Sequence, residues 1–350
     1  MQKSMERLGL GDSTYLPEAF FKEQSNPSME DARRESEMAI FGAVDELLAK
    51  TRVKGRDIGI VVVNCCIFTV APSLSSMVVN RYKMKEGVVC YNLSGMGCTA
   101  GLLAINLAKQ LLQVHHNCYA LVVSTESISQ SCYTGNEPSK ATSNCVFRVG
   151  GAAILLSNQP SDQYSSKYQL IHTVYTQTAN SDKSYGCITL EEDTEGHLGV
   201  TVTKDLLTAA VTVVQSNIAS LAPLVLPVPE QVRYLLDYVT RRSASGRILS
   251  RTYRISRGLS ITSCRMLVGE RCRTRCRRSW GLRKATWKLL ARMTIYRFGN
   301  TSSSSVCVIW RAIGSVDRRD KVNVWSDEID EFPVDLNNDP KLFYFSEPSN

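Results

Sequence analysis

The sequence predicts an α/β protein in which a mixed or parallel sheet is layered with helices, and three stretches carry that expectation. Residues 58–64, IGIVVVN, form an unbroken β-branched run, the pattern of a strand covered on both faces. Residues 119–125, YALVVST, repeat the pattern. Between them, residues 97–114 (GCTAGLLAINLAKQLLQV) lack proline and are rich in good helix formers. Buried strands that alternate with helices call for helices on the faces of the sheet.

The elements follow in order. Residues 1–57 read as a leading segment of helical character. Its apolar residues Met38, Ile40, Phe41, Val44, Leu47 and Leu48 recur near the helical period. Pro27, Ser28, Glu30 and Asp31 suit the start of that helix. Past the first strand, 73–79 reads as a short helix and 87–93 as a second strand. Residues 150–157 (GGAAILLS) and 168–178 continue the β pattern, and 201–221 reads as a helix followed by a loop over 223–229. Beyond Arg241 the order fails. Residues 243–263 show neither period, and 265–278 are mostly Arg, Cys and Thr. Order returns over 293–305 and is lost again after Ser305.

Charge marks the same break. Arg241 to Arg292 holds 14 Arg and 2 Lys against Glu270 alone, so the rest of a chain of net charge +8 is acidic, at −7. An acidic body thus carries one strongly basic insert. No apolar run reaches the ~18 residues of a membrane-spanning helix, and Met1 to Gly11 lack the apolar centre of a signal peptide. The 12 Cys are scattered without CxxC pairs at zinc spacing. No metal site is expected. A reducing compartment fits these thiols, and one of them could be a nucleophile.

The sharpest chemical feature is Asn92-Leu93-Ser94-Gly95-Met96-Gly97-Cys98-Thr99-Ala100-Gly101. A strand ends, two glycines turn the chain, and Cys98 begins a long helix. A thiolate there is stabilised by the helix dipole and its unpaired amides, and small neighbours leave room for an acyl chain. That suits a nucleophile that accepts an acyl group as a thioester. A buried core Cys beside a glycine turn would give the same spacing. The second feature is Arg297-Phe298-Gly299-Asn300-Thr301, followed by four Ser. Asn300 in the Gly299 turn could donate a hydrogen bond to a thioester carbonyl or an enolate oxygen. It could equally be a turn and helix cap.

KSMERLGLGDSTYLPEA, VVNRYKMKEG, YNLSGMGCTAG, YALVVSTE, SNCVFRVGGAAILLSN and LVLPVPEQ occur in this order. With them the chain resembles the 3-ketoacyl-CoA synthases of plant fatty-acid elongation. The resemblance covers residues 1–241, returns at 293–305 and appears again near the C-terminus. It implies a thiolase-like fold of two similar halves, each a mixed sheet layered with helices. It also implies a Cys-His-Asn site. Cys98 would take a long-chain acyl group from acyl-CoA, and the carbanion formed when malonyl-CoA loses carbon dioxide would attack that thioester. Asn300 and a His would hold the enolate. Gly97 and Gly299 would support the turns, and the Cys98 amide would help bind the oxyanion. No cofactor is needed beyond the two CoA substrates. A homodimer, other elongase subunits and the endoplasmic reticulum membrane are the partners and place that the resemblance implies.

This chain departs from the family in three places. The family's catalytic His sits in a stretch like His-Ala-Gly-Gly-Arg-Ala-Val, expected here near Met266, yet the only His are His115, His116, His172 and His197. With plausible codons, Met266-Leu267-Val268-Gly269-Glu270-Arg271 shifted back by one nucleotide reads His-Ala-Gly-Gly-Arg-Ala. Residues 242–292 are therefore read as a frame-shifted, disordered basic segment between a 58–241 half that carries the nucleophile and a 293–350 remnant of the second half. After Ser305 about thirty residues are read as deleted, including a Gly-rich strand near the site. The family's N-terminal membrane-spanning pair is also missing, so a peripheral or cytosolic chain is expected. Without the His, no condensing activity is expected.

Three other readings stand beside this one. The arginines of 241–292 could bind nucleic acid, but they lack aromatic platforms and stand where the family has an acidic helix, so no nucleic-acid partner is expected. A different condensing enzyme of the type III polyketide kind would share Cys-His-Asn chemistry but not the wording of these motifs. A catalytically dead partner of intact homologues is the third.

Overall fold

A computed structural model describes residues 28–166 and 169–226, together with 10, 14–17, 21, 228–229 and 231–232. The basic segment 242–292, the remnant 293–350, the position near Met266, and Gly299 and Asn300 lie outside the described residues.

The described chain opens with α1, Met29–Thr51. Ser28 and Asp31 form a reciprocal capping box at its start, as the Ser-Met-Glu-Asp sequence allows. Strand β1, Ile58–Asn64, follows and is buried along its whole length, as its β-branched run requires. Helix α2, Leu74–Arg81, is capped by Ser73, whose hydroxyl accepts from Ser76 N–H at 3.2 Å. It leads to β2, Val89–Leu93. A 3₁₀ turn, Gly97–Thr99, then opens into α3, Ala100–Val114. Strands β3, Tyr119–Ser124, and β4, Ala152–Ser157, complete a sheet of order β2-β1-β3-β4.

The first three strands of that sheet are parallel and β4 runs antiparallel to β3, which is the mixed sheet expected. Successive side chains of a strand point to opposite faces, and the core divides accordingly. Val61, Val63, Leu121 and Val123 pack with Ile40 and Val44 of α1 and Leu74 and Val78 of α2. Ile60, Val62, Ala120 and Val122 pack on the other face with Ala104, Ile105, Ala108 and Leu112 of α3. Small Ala side chains let α3 lie close on the sheet.

Four expectations need correction or addition. Residues 169–178 form no strand among the described residues. They run along α3, where Lys109 Nζ donates to Ile171 O at 2.7 Å and Thr173 Oγ1 to Asn106 Oδ1 at 2.7 Å. Side chains thus take the place of a ladder. The helix expected over 201–221 begins later, because Leu198–Val202 is β6, paired antiparallel with β5, Ile188–Glu192. After a one-turn helix α5, Asp182–Tyr185, and this hairpin, α6 runs Asp205–Val225 and holds Pro223 inside its last turn rather than ending before it. Helix α4, Pro138–Val146, between α3 and α5, is not announced by the sequence pattern. By length and composition α6 could cross a membrane, although no unbroken apolar run marks it, and only Leu206 in it is buried.

Candidate active site

Parallel β1, β2 and β3 point their carboxyl ends to one side. Because β1 lies in the middle, the chain leaves it toward β2 on one flank and crosses to β3 on the other. Crevices at such switch points are where open α/β sheets place ligands. Three loops meet there: Cys65-Cys66-Ile67 after β1, Ser94 to Cys98 after β2, and Thr125 to Ile128 after β3.

Cys98 sits in the 3₁₀ turn that feeds α3, one residue-pair ahead of the helix proper, and is half-buried. The expectation that Cys98 starts the helix thus becomes a tight turn just before it. Gly95 and Gly97 adopt φ of +68° and +64°, which side chains with a Cβ rarely take. A methyl group at either would meet nothing within 4 Å, so there is open space beside the Cys98 turn. No side chain caps this helix start. Thr99 Oγ1 donates to Met96 O at 3.0 Å instead. The Ala100 amide donates to Gly97 O, and the positive end of the α3 dipole favours a negative charge on sulfur or on a carbonyl oxygen.

The neighbouring loops are tied to that turn. Gly95 N–H donates to Cys66 O at 3.0 Å and Gly97 N–H to Cys66 Sγ at 3.1 Å. Glu126 accepts from Cys66 N–H at 3.0 Å on one oxygen and from Ile67 N–H at 3.0 Å on the other. Cys65 Sγ donates to Glu126 at 3.3 Å. Burial pushes the Glu126 carboxyl up, against the pull of those amides. Burial first, and the Glu126 charge next, push both Cys65 and Cys66 thiols up. Two of the three cysteines at this end are therefore held as thiols. The brace of Cys66 and Glu126 has no local signal in the sequence, because only strand register brings it to the Cys98 turn.

His115 and His116 are exposed at the opposite end of α3, about 22 Å away along a 15-residue helix at 1.5 Å per residue. His172 is exposed on the extended segment beside the middle of α3 rather than on a strand. His197 lies in the β5–β6 turn, 3.5 Å from Asp193. Among the described residues no His, Cys, Asp and Glu cluster could hold a metal ion.

A family model described as FAE1/type III polyketide synthase-like protein matches residues 1–243. The chain belongs to this family. Its relatives include 3-ketoacyl-CoA synthase 11 of Arabidopsis thaliana, 43% identical over 96% of this chain and 72% of that protein. 3-ketoacyl-CoA synthase 2 of the same plant is 42% identical over 95% of this chain and 70% of that protein. Among solved structures, 1,3,6,8-tetrahydroxynaphthalene synthase of Streptomyces coelicolor, a type III polyketide synthase, matches with a TM-score of 0.60 at 18% identity over 88% of this chain and 79% of that one. The fold is thus the thiolase-like one, and the chain is a 3-ketoacyl-CoA synthase family member, an acyltransferase of the condensing kind.

Proposed function

We propose that Cys98 accepts a long-chain acyl group and that the chain goes no further. The observation that carries this reading is the Cys98 turn. A half-buried thiol stands at an uncapped helix start, at the carboxyl ends of three parallel strands, beside open space. In the first step the Cys98 sulfur attacks the thioester carbonyl of acyl-CoA. Amides at the helix start hold the oxyanion, the bond to the CoA sulfur breaks, and the proton from Cys98 leaves with CoA. In the family's second step malonyl-CoA loses carbon dioxide, and its C2 attacks the acyl-Cys98 carbonyl, releasing a 3-ketoacyl-CoA two carbons longer. Asn300 would hold the enolate oxygen there, but the His that should share this task is absent from the sequence. We therefore propose that this chain does not complete the condensation. No metal or redox cofactor has a role in either step.

One feature supports the reading of a damaged second half: the family match ends at residue 243, beside the break set at 241. Homodimerisation and contact with other elongase subunits are proposals from the family, as is the endoplasmic reticulum membrane. Helix α6 is a candidate for membrane contact.

The test is mass spectrometry of the purified chain after incubation with a long-chain acyl-CoA. An acyl adduct on the Cys98 peptide, lost in Cys98→Ala, is expected. An unmodified Cys98, or an adduct that persists in Cys98→Ala, would overturn the assignment of the nucleophile.

A further inference from the structure

The turn that presents Cys98 is built from the two most permissive residues available, Gly95 and Gly97, both at positive φ. Such a turn needs bracing from outside to hold one geometry. Its partner is Cys66, from the loop after β1. The Cys66 carbonyl takes the Gly95 amide and the Cys66 sulfur takes the Gly97 amide, one residue from the nucleophile. Cys66 is in turn gripped by Glu126, from the loop after β3, which holds the amides of Cys66 and Ile67 on its two oxygens at 3.0 Å each. One relay of hydrogen bonds thus links all three strand ends to the Cys98 turn.

We propose that Cys66, braced by Glu126, is a positioning residue for Cys98: it fixes the Gly95–Gly97 turn and so sets where the attacking sulfur stands against the helix start. The proposal rests on the reading of Cys98 as the nucleophile. Cys66 itself is not the attacking group, since burial and Glu126 keep its thiol protonated. Sulfur is a weak acceptor. A serine hydroxyl at this place would take the Gly97 amide as well or better, and an alanine would leave that amide without an acceptor.

The experiment reads the rate of Cys98 alkylation by iodoacetamide in the full chain, peptide by peptide, across a pH series. Cys90, exposed on β2, is the internal reference for an intact fold. In Cys66→Ala, Cys98 is expected to slow by about fivefold or more, as loss of orientation does, and its pH profile to move, with Cys90 unchanged. Cys66→Ser is expected to restore the rate to within about twofold. Glu126→Gln, which keeps one accepting oxygen, is expected to slow Cys98 in the same direction by less. A native rate and profile in Cys66→Ala, or a Cys66→Ser as slow as Cys66→Ala, would overturn the proposal. If Cys66→Ala also alters Cys90, the decision passes to Glu126→Gln, and a native Cys98 rate there is the overturning result. If native Cys98 reacts no faster than Cys90, the nucleophile reading fails and this proposal with it. A fast native Cys98 that ignores Cys66 and Glu126 sinks the brace alone.

Discussion

Burial sorts the titratable groups around the sheet, and each sorting has a sign that can be tested. Glu35 of α1 is buried under Ile128 and Ser129, whose amides donate to its two oxygens at 2.6 and 2.9 Å. Burial nevertheless wins, and the carboxyl is pushed up from 4.5. A carboxyl raised in the fold keeps a proton that the unfolded chain gives up, so its contribution favours the fold below about pH 4.5 and is lost as pH rises through the raised value. The melting temperature of Glu35→Gln should therefore gain on that of the native chain between pH 4.5 and neutrality. A constant gap would contradict this. Asp193 has the opposite sign. The Tyr133 hydroxyl, 2.6 Å away, is the first cause that lowers it from 3.8 to about 2, and the His197 and Glu195 amides help. Its contribution is present above pH 3.8 and lost as pH falls toward 2. In Tyr133→Phe the midpoint of acid unfolding, followed by circular dichroism, should move to higher pH.

The elements show what a linear pattern can and cannot carry. Runs such as IGIVVVN and YALVVS announce buried strands because both faces are covered, and the two core clusters on either side of β1 and β3 are the consequence. Ile60 is fully buried between the sheet and α3. Ile60→Ala should cost about 2–5 kcal/mol in denaturant unfolding, as a cavity in a packed core does. The β-branched run at 168–178 carries the same local signal as a strand, yet no ladder takes it up among the described residues. Pairing is a tertiary fact that propensity does not decide. The β5–β6 hairpin is legible in the sequence. Ile188 and Leu190 alternate with Thr189 and Glu191, and a Gly196 turn at φ +86° follows. The helix Pro138–Val146 has few apolar residues to mark it, and only Lys140 and Ser143 in it are buried. At the site, Asn92 to Gly101 announced the Cys98 turn locally. Cys66 and Glu126 did not, since β1, β2 and β3 must align before the three loops meet.

At the scale of the whole molecule, the chain joins an acidic family body to a basic stretch that breaks the family's pattern. If that stretch is a one-nucleotide slip, the transcript across Arg241 to Met293, shifted back by one position, should read His-Ala-Gly-Gly-Arg-Ala at Met266–Arg271 and an acidic helix beyond. Codons that cannot give those residues would end the frame-shift explanation. The same slip explains why a nucleophile can persist without a condensing partner. Cys98 and its brace are built wholly by residues before 127, whereas the His and Asn300 belong to the part beyond 241. The most direct measurement incubates the purified chain with a long-chain acyl-CoA and labelled malonyl-CoA and follows both labelled carbon dioxide and 3-ketoacyl product. The expected result is an acyl-Cys98 adduct with neither carbon dioxide nor product above the Cys98→Ala background. Turnover to a 3-ketoacyl-CoA would contradict it.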